Sequence, residues 1–414
     1  MEQVLLLTVG IKSQKSLLSP KDQARELREL ALSTSSRVID ELVCFRDHPT
    51  PNLYLGKGKV EEVKVLCQEK GIDTVIFNNA LSGTQQRNIE EIIGVKTIDR
   101  TQLILDIFAR HAKSPEGRMQ VELAQLEYLL PRLTGKGVLL SRLGGGIGTR
   151  GPGEQKLEVD RRRIKDKIIK LTQELQETRN RRKTMRAKRK ESNVPTITLV
   201  GYTSAGKSTL LNALTESAQP VSEHLFTTLD PLSRSFTLSN NQKVVLSDTV
   251  GFINDLPPYL IEAFKATLEE VGDSDLLLHV LDVSDMAFHE HNKVVHEVLE
   301  TLGAKEKPVI TVLNKIDKLE DERWIERYKA DFETSVAISA LLKRNFDDLL
   351  GMIEKKLENM FTYISLSLPL NRMDLVDLIY REGKVRSINY TPQHIEISAT
   401  LPNVTASRLK NFKS

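Results

Sequence analysis

The chain contains only two cysteines among its 414 residues, and they are far too few to support a disulfide framework. Cys44 and Cys67 lie in apolar surroundings without CxxC spacing, so neither is expected to bind a metal. Free thiols of this kind are typical of proteins in a reducing compartment. We therefore expect a cytoplasmic protein. We also expect it to be monomeric when free.

Long apolar runs are also absent, so the sequence predicts no stable insertion into a membrane. The first ten residues, Met1 to Gly10, read as a β-strand, because a basic leader and a small-residue cleavage site are both missing. Peripheral attraction to anionic lipid stays open, since one segment of the chain is strongly basic. A membrane-remodelling function would also need an apolar anchor, and none accompanies that segment.

Positive charge is concentrated in one segment, although the whole chain carries only +3. Residues 150–190 hold 16 Lys and Arg against 6 Asp and Glu. Such a cluster favours a nucleic-acid backbone as partner, while a solvated helix face is the simpler alternative. The arginines predicted to contact RNA are Arg150, Arg179, Arg181, Arg182, Arg186 and Arg189.

The order of apolar patterns predicts an α/β protein with several domains. Alternating strands and helices predict an N-terminal α/β domain with parallel strands over residues 1–115. A helical hairpin follows over 116–193, and a phosphate-loop domain with a mostly parallel sheet over 194–361. The last segment, 362–414, predicts a small C-terminal α/β domain. Whether the N-terminal domain binds a second nucleotide stays open.

The hairpin is predicted from two apolar seams with alternating spacings of four and three residues, which favour a short antiparallel coiled coil. These seams are Met119, Leu123, Leu126, Leu130 and Leu133, and then Ile164, Ile168, Leu171 and Leu175. Residues 135–153 between them contain eight glycines, so we expect residues 141–154 to be non-helical. A glycine-rich loop of this length favours a macromolecular contact over a plain linker.

A phosphate-binding loop of the form GxxxxGKS follows a short β-branched run. Its backbone amides are expected to surround a polyphosphate, with Lys207 reaching the outer phosphates and the Ser208 hydroxyl binding Mg²⁺. ATPases and kinases share this motif, so alone it identifies only a nucleotide. The predicted nucleotide-binding residues here are Gly201, Tyr202, Thr203, Ser204, Ala205, Gly206, Lys207, Ser208 and Thr209.

The motif Asn314-Lys315-Ile316-Asp317 follows an apolar run and indicates guanine rather than adenine. The Asp317 carboxylate can accept from the ring N–H and the exocyclic amine of guanine together. Adenine offers an acceptor at that ring position, and is therefore rejected. Ser339 and Ala340 end a later strand, where the Ala340 amide is expected to meet the guanine carbonyl.

Two further segments predict a switch that senses the terminal phosphate. Asp248 ends an apolar run and is expected to hold the water shell of Mg²⁺, while the Gly251 amide meets the γ-phosphate. Thr228, with Thr227 as the alternative, is expected to complete the metal shell. Lys207, Thr228 and Gly251 are thus the predicted catalytic residues. Phe252 stands where many such enzymes have a glutamine that orients water, so we expect slow unassisted hydrolysis of GTP to GDP.

These motifs together resemble the HflX family of ribosome-associated GTPases. The resemblance rests on GGGIGTRGPGE at 144–154, GYTSAGKSTLLNAL at 201–214, LFTTLDP, DTVGFI and NKID, with YLGKGK at 54–59. It covers nearly the whole chain, although the segment from about 362 matches only loosely. What it implies is a cytosolic GTPase that binds the large ribosomal subunit and its RNA. Such a protein separates stalled or idle ribosomes, and the subunit activates its hydrolysis.

The chain departs from the family pattern at Ser204, where the family usually has asparagine. In related GTPases that lack the glutamine, that asparagine helps to hold a monovalent cation, so K⁺ dependence stays open here. The alternative function is a GTP-dependent RNA-binding or ribosome-assembly module whose turnover is incidental.

Overall fold

The computed structural model describes all residues except 15, 134–151, 192–193, 216–225, 227–231, 240–241, 258–259, 261–267, 269 and 411–414. Side chains are also not described for 152–157, 183, 185–191, 404 and 410. The chain divides into two compact units. The main part of the first is Met1–Arg179, and the second comprises Asn180–Val221, Pro231–Phe252 and Thr267–Ser414. Within the described residues, no helix is both long and apolar enough to cross a membrane.

The first unit contains a parallel sheet with the strand order β2-β1-β3-β4. The strands are β1 Gln3–Ile11, β2 Arg37–Arg46, β3 Thr74–Phe77 and β4 Lys96–Asp99. They alternate with the helices α1 Pro20–Ser33, α2 Lys57–Lys70, α3 Gly83–Ile93 and α4 Arg100–His111. Apolar side chains of β1, β3, α2 and α3 form its core.

Two helices follow in chain order, α5 Pro115–Leu129 and α6 Pro152–Glu191. Leu171 is buried, and Lys167 forms an ion pair with Glu122, so α6 lies beside α5. The α-helical part of the first seam ends at Leu129, because Pro131 lies in a 3₁₀ turn over Leu130–Leu133. The expectation that residues 152–154 are non-helical is wrong, since α6 begins at Pro152. Proline suits that position because the first turn needs no N–H there.

The second unit is built on a sheet with the order β10-β9-β8-β5-β7-β6. Its strands are parallel except β6, which pairs antiparallel with β7 at one edge. They are β5 Thr196–Gly201, β6 Leu232–Thr237, β7 Lys243–Asp248, β8 Leu276–Asp282, β9 Val309–Asn314 and β10 Ser335–Ala337. The helices are α7 Lys207–Thr215, α8 Phe288–Thr301, α9 Arg323–Ala330 and α10 Phe346–Leu357.

A three-stranded antiparallel sheet in the order β11-β13-β12 ends the second unit. Its elements are β11 Phe361–Pro369, α11 Met373–Glu382, β12 Lys384–Tyr390, β13 His394–Pro402 and α12 Asn403–Lys410. The three sheets confirm the predicted α/β class with a mostly parallel central sheet. The bounds of the four domains stay predictions.

Candidate nucleotide-binding site

The phosphate-binding loop connects β5 to α7 and has no room for a larger residue at Gly206. Gly206 has a φ of 97°, and a Cβ added there would lie 2.2 Å from Asn314 Nδ2. Ser204 also adopts a positive φ, 57°, and its side chain is exposed. The sharp reversal of the backbone brings successive amides to the start of α7, which is the arrangement that anions require.

Lys207 is the first residue of α7, and its ammonium group is folded back onto the loop. Nζ donates to the carbonyl oxygens of Gly201 at 3.1 Å and Tyr202 at 2.8 Å. Burial lowers the pKa of Lys207 to about 8; Asp248 raises it and Lys315 lowers it further. A buried ammonium is costly unless negative charge approaches it, so this lysine is suited to meet a polyphosphate.

Ser208 and Asp248 form the oxygen-rich part of the site. The Ser208 hydroxyl donates to Asp248 Oδ2 at 2.6 Å, and Asp248 is only 1% exposed at the end of β7. Thr249 beside it donates to the Leu199 carbonyl at 2.7 Å, which fixes the strand end. A hydroxyl and a carboxylate are the hard oxygen donors that Mg²⁺ prefers, so the residues present fit this ion.

The segment after Asp248 is hydrogen-bonded to the phosphate-binding loop. Thr203 N–H donates to the Phe252 carbonyl at 2.8 Å, and Phe252 N–H donates to the Gly201 carbonyl at 3.1 Å. A Cβ added at Gly251 would lie 2.8 Å from Thr203 Cα. The Phe252 side chain is 1% exposed and therefore packs in the interior. A phenyl ring carries no hydrogen-bonding group, so Phe252 cannot orient water as the missing glutamine would.

Asn314 connects the loops that are predicted to hold the phosphates and the base. Its amide donates to the Ala205 carbonyl at 2.8 Å and accepts from Ala340 N–H at 3.0 Å. The Ala340 amide, expected to face guanine, thus donates to Asn314 in this structure. Ser339 is fully buried, and its hydroxyl accepts from Leu342 N–H at 3.1 Å. Both predicted base-reading segments are therefore joined to the phosphate-binding loop.

Lys315 and Asp317 lie on either side of the buried Ile316. Lys315 has a φ of 65°, and its ammonium group pairs with Asp282 Oδ2 at 2.5 Å. Asp317 is exposed and forms no hydrogen bond with another described residue. Its carboxylate is consequently accessible to an external donor such as a purine edge.

Several predicted site residues lie outside these contacts. Thr228, its alternative Thr227 and Arg150 lie outside the described residues. Arg179, Arg181 and Arg182 lie on α6, where Arg181 is exposed. Arg186 and Arg189 belong to the same helix, but their side chains are not described.

Two contacts at the site were missed by the sequence analysis. The Tyr202 ring stacks on His291 of α8 with centroids 3.9 Å apart. Asp282 orients Lys315 and also accepts from Ser284. The only sequence signal for Asp282 is that it ends the apolar run of β8; its place beside Lys315 depends on β8 and β9 being neighbours in the sheet. No sequence signal pointed to His291.

Comparison with known proteins adds family assignments for three segments. Residues 21–109 match a family model described as GTP-binding GTPase N-terminal, and residues 111–189 match one described as GTP-binding GTPase Middle Region. Residues 196–315 match a model described as 50S ribosome-binding GTPase. A solved GTP-binding protein from Sulfolobus solfataricus, in complex with GDP, is 26% identical with a TM-score of 0.46. That match covers 87% of this chain and 99% of the other.

Two relatives are similar over almost their full lengths. GTPase HflX from Caldanaerobacter subterraneus subsp. tengcongensis is 46% identical over 396 residues, which cover 95% of this chain and 91% of the relative. GTPase HflX from Escherichia coli K12 is 39% identical over 396 residues, which cover 95% and 90%. With this similarity and the GTP-binding motifs in place, the chain belongs to the HflX family of GTPases.

Proposed function

We propose that this GTPase uses its nucleotide state to bind and release the large ribosomal subunit, and that it separates stalled or idle ribosomes into subunits. The observation that carries the nucleotide-dependent part of the proposal is the pair of side-chain hydrogen bonds of Asn314, which connect the phosphate-binding loop to the Ala340 loop. We further propose a cytoplasmic protein that is monomeric when free.

The phosphates are held by the amides of residues 201–209 and by Lys207, whose buried ammonium group gains a counter-charge on binding. Ser208 would bind Mg²⁺, Asp248 would hold its water ligands, and Thr228 would join them in the GTP state. When bound there, the ion would supply positive charge to the phosphate oxygens. The Gly251 amide senses the γ-phosphate, because Gly251 lies close to the phosphate-binding residues: a Cβ added to it would be 2.8 Å from Thr203 Cα and 3.0 Å from Lys207 Nζ.

Guanine is selected by the NKxD segment. Asp317 accepts from two donors of the base, and its exposure in the described chain leaves it accessible to them. Lys315 packs on the base, since Asp282 holds its ammonium group aside. Asn314 keeps Ala205 and Ala340 at a fixed separation, and Ser339 supports the Ala340 loop.

Hydrolysis is slow without a partner, because the chain carries no glutamine after Gly251 and Phe252 is buried. The attacking water therefore needs to be oriented from elsewhere, and the large subunit is the proposed source. Ser204 is exposed, so its hydroxyl is accessible to a cation. Comparing hydrolysis rates in K⁺ and Na⁺ at equal ionic strength tests K⁺ binding there.

The ribosomal partner is supported by the basic charge of residues 150–190 and by the description of the model matched by residues 196–315. Co-sedimentation with separated ribosomal subunits tests it. We expect the chain to pellet with the large subunit in a non-hydrolysable GTP analogue, and to pellet less in GDP. Equal pelleting with both nucleotides would remove the switch from the proposal.

The alternative is a GTP-dependent RNA-binding or assembly module whose turnover is incidental. Phe252 favours it, because this buried apolar residue stands where many such enzymes have the glutamine that orients water. The two proposals differ in whether ribosomal particles raise the hydrolysis rate.

A further inference from the structure

One face of the C-terminal sheet is open. Its other face is covered by α11 and α12, where Ile364, Ile397 and Ile379 are buried. The antiparallel register places three rows of side chains across the open face. These rows are Tyr363, Thr400 and Lys384, then Ser365, Ser398 and Ser387, then Ser367, Glu396 and Asn389.

An aromatic ring and two cations meet at one end of this face. Tyr363 is 55% exposed, and the Arg386 guanidinium lies 5.3 Å from its ring centroid. The β12 register shifts between Val385 and Ser387, so Arg386 is an extra residue in the strand. Such bulges redirect a side chain, and here Arg386 joins Lys384 on the open face.

The cations and the carboxylate of this face lie at different positions along the strands. Neither Lys384 nor Arg386 forms an ion pair with any residue that the structure describes. The acidic residue of the face, Glu396, lies two rows away beside His394, with 3.4 Å between His394 Nε2 and Glu396 Oε1. Tyr363 thus has Arg386 over its ring and Lys384 and Thr400 in its row, while Phe361 and Pro402 form the next row on the other side.

We infer that this face binds single-stranded RNA, with a base stacked on Tyr363 and phosphates held by Lys384 and Arg386. An exposed ring on a sheet offers a stacking platform to any base, and nearby cations hold the backbone. The serine and asparagine side chains supply hydrogen bonds to base edges and 2′-hydroxyls. The inference extends the proposed ribosomal partner by a second RNA contact, yet it does not depend on the nucleotide pocket.

Fluorescence anisotropy of the full chain with a labelled oligouridylate of about 12 nucleotides tests the inference. We expect Tyr363→Ala and Arg386→Ala each to weaken binding about tenfold, and Tyr363→Phe to preserve it, because phenylalanine still stacks. The same substitutions are also made in a chain with alanine at Arg181, Arg182, Arg186 and Arg189. In that chain α6 no longer contributes to oligonucleotide binding, so any remaining affinity comes from elsewhere. All variants are first checked for unchanged GDP binding and unchanged thermal unfolding.

The chain offers matched controls on the same small domain. Tyr390 is 58% exposed and pairs with Ile395, whose side chain faces the helices, so Tyr390→Ala removes an equally exposed ring from elsewhere. Arg381 lies on α11, and Arg381→Ala removes a cation outside the open face. Both controls are expected to bind the oligonucleotide as the parent chain does.

Two results would overturn the inference. One is an equal loss of affinity in Tyr390→Ala and Tyr363→Ala. The other is weaker ribosome binding in Tyr363→Ala with unchanged oligonucleotide binding, which would assign the face to a ribosomal protein. Ultraviolet crosslinking gives an independent readout, since a bound uridine should attach to the peptide that contains Tyr363. Because the oligonucleotide assay contains no ribosome, its outcome is separate from that of the co-sedimentation test.

Discussion

The charged ammonium group of Lys207 is destabilised by burial, and a bound polyphosphate would stabilise it. Burial disfavours its ammonium group, so its pKa is lowered from 10.5 to about 8 in the free site. Phosphate oxygens favour the charged form, and binding should therefore raise this pKa again. The depressed value consequently predicts a proton that is taken up with the nucleotide.

The sign of this uptake follows from the pKa of the free site. Below about pH 7 the lysine is already charged, so GDP binding should take up almost no proton at Lys207. Between about pH 8 and 10 the free lysine is increasingly neutral, so binding should take up a fraction approaching one proton, and affinity should fall. Calorimetry in two buffers with different ionisation enthalpies measures this number. The same proton count at about pH 6.5 and pH 9 would contradict the prediction.

Asp317 is expected to determine which base is bound. Replacing Asp317 with Asn places a donor where the carboxylate accepts, so preference should move from guanine toward xanthine. A lost pair of charge-assisted hydrogen bonds should reduce GTP affinity by about 100-fold or more. Competition between GDP and XDP on the pure protein measures the change.

Two features of the Asp317 test make it specific. Asp321 is a nearby, partly exposed carboxylate that pairs with Arg323, so Asp321→Asn is a control with unchanged base preference. Unaltered guanine selectivity in Asp317→Asn would remove Asp317 from its proposed role.

At the scale of elements, the buried strands were the most predictable parts of the chain. The runs at 195–200, 243–247 and 308–313 predict β5, β7 and β9 to within one residue of the observed bounds, because a central parallel strand is a continuous apolar run. The helix α4 was missed, since it starts directly after β4 without a loop, with Asp99 as its N-cap. The edge strand β6 was also missed, because its residues are mostly exposed.

The site could be predicted only where its chemistry is local in sequence. Lys207 and Ser208 belong to one motif, whereas the bond from Ala340 to Asn314 joins residues 26 positions apart. The pair of Lys315 with Asp282 likewise depends on β8 and β9 being neighbours in the sheet. Such contacts follow from strand order, which apolar patterns do not encode.

The α6 helix is predicted to carry the salt-dependent part of ribosome binding. Alanine at Arg181, Arg182, Arg186 and Arg189 removes cations from the end of the helix that holds no acid before Glu191. Each lost phosphate contact should lower the slope of log affinity against log salt by about 0.7 to 0.9. Large-subunit binding measured across several salt concentrations gives this slope, and GTP affinity should stay unchanged.

A control for charge alone replaces four exposed lysines on other helices. These residues are Lys21, Lys293, Lys355 and Lys356. Their removal should leave the slope almost unchanged. If the two sets of substitutions flatten the slope equally, the effect is general charge and the contact through α6 is not supported.

At the scale of the whole molecule, the chain combines a nucleotide pocket with basic surfaces that are separate in sequence. Phosphate sensing lies in residues 201–251, whereas the densest basic stretch ends at Lys190, directly before β5. A short connection of this kind favours coupling between nucleotide state and RNA contact. Such coupling makes the nucleotide a timer for RNA release only if the RNA partner controls the rate of hydrolysis.

We therefore expect the large ribosomal subunit to raise the hydrolysis rate on the order of 100-fold, as a positioned water and proton acceptor would. Phosphate release under multiple turnover, with saturating GTP, measures the rate. The small subunit at equal concentration controls for nonspecific RNA. The four-arginine variant of α6 should hydrolyse GTP at the parental rate when no ribosomal subunit is present, and the large subunit should raise its rate only slightly.

A hydrolysis rate that stays constant on adding the large subunit, while ribosome binding still depends on the nucleotide, would favour the RNA-binding module with incidental turnover. In that case Phe252 only packs in the interior, and the site senses which nucleotide is bound without using hydrolysis to time the release of RNA.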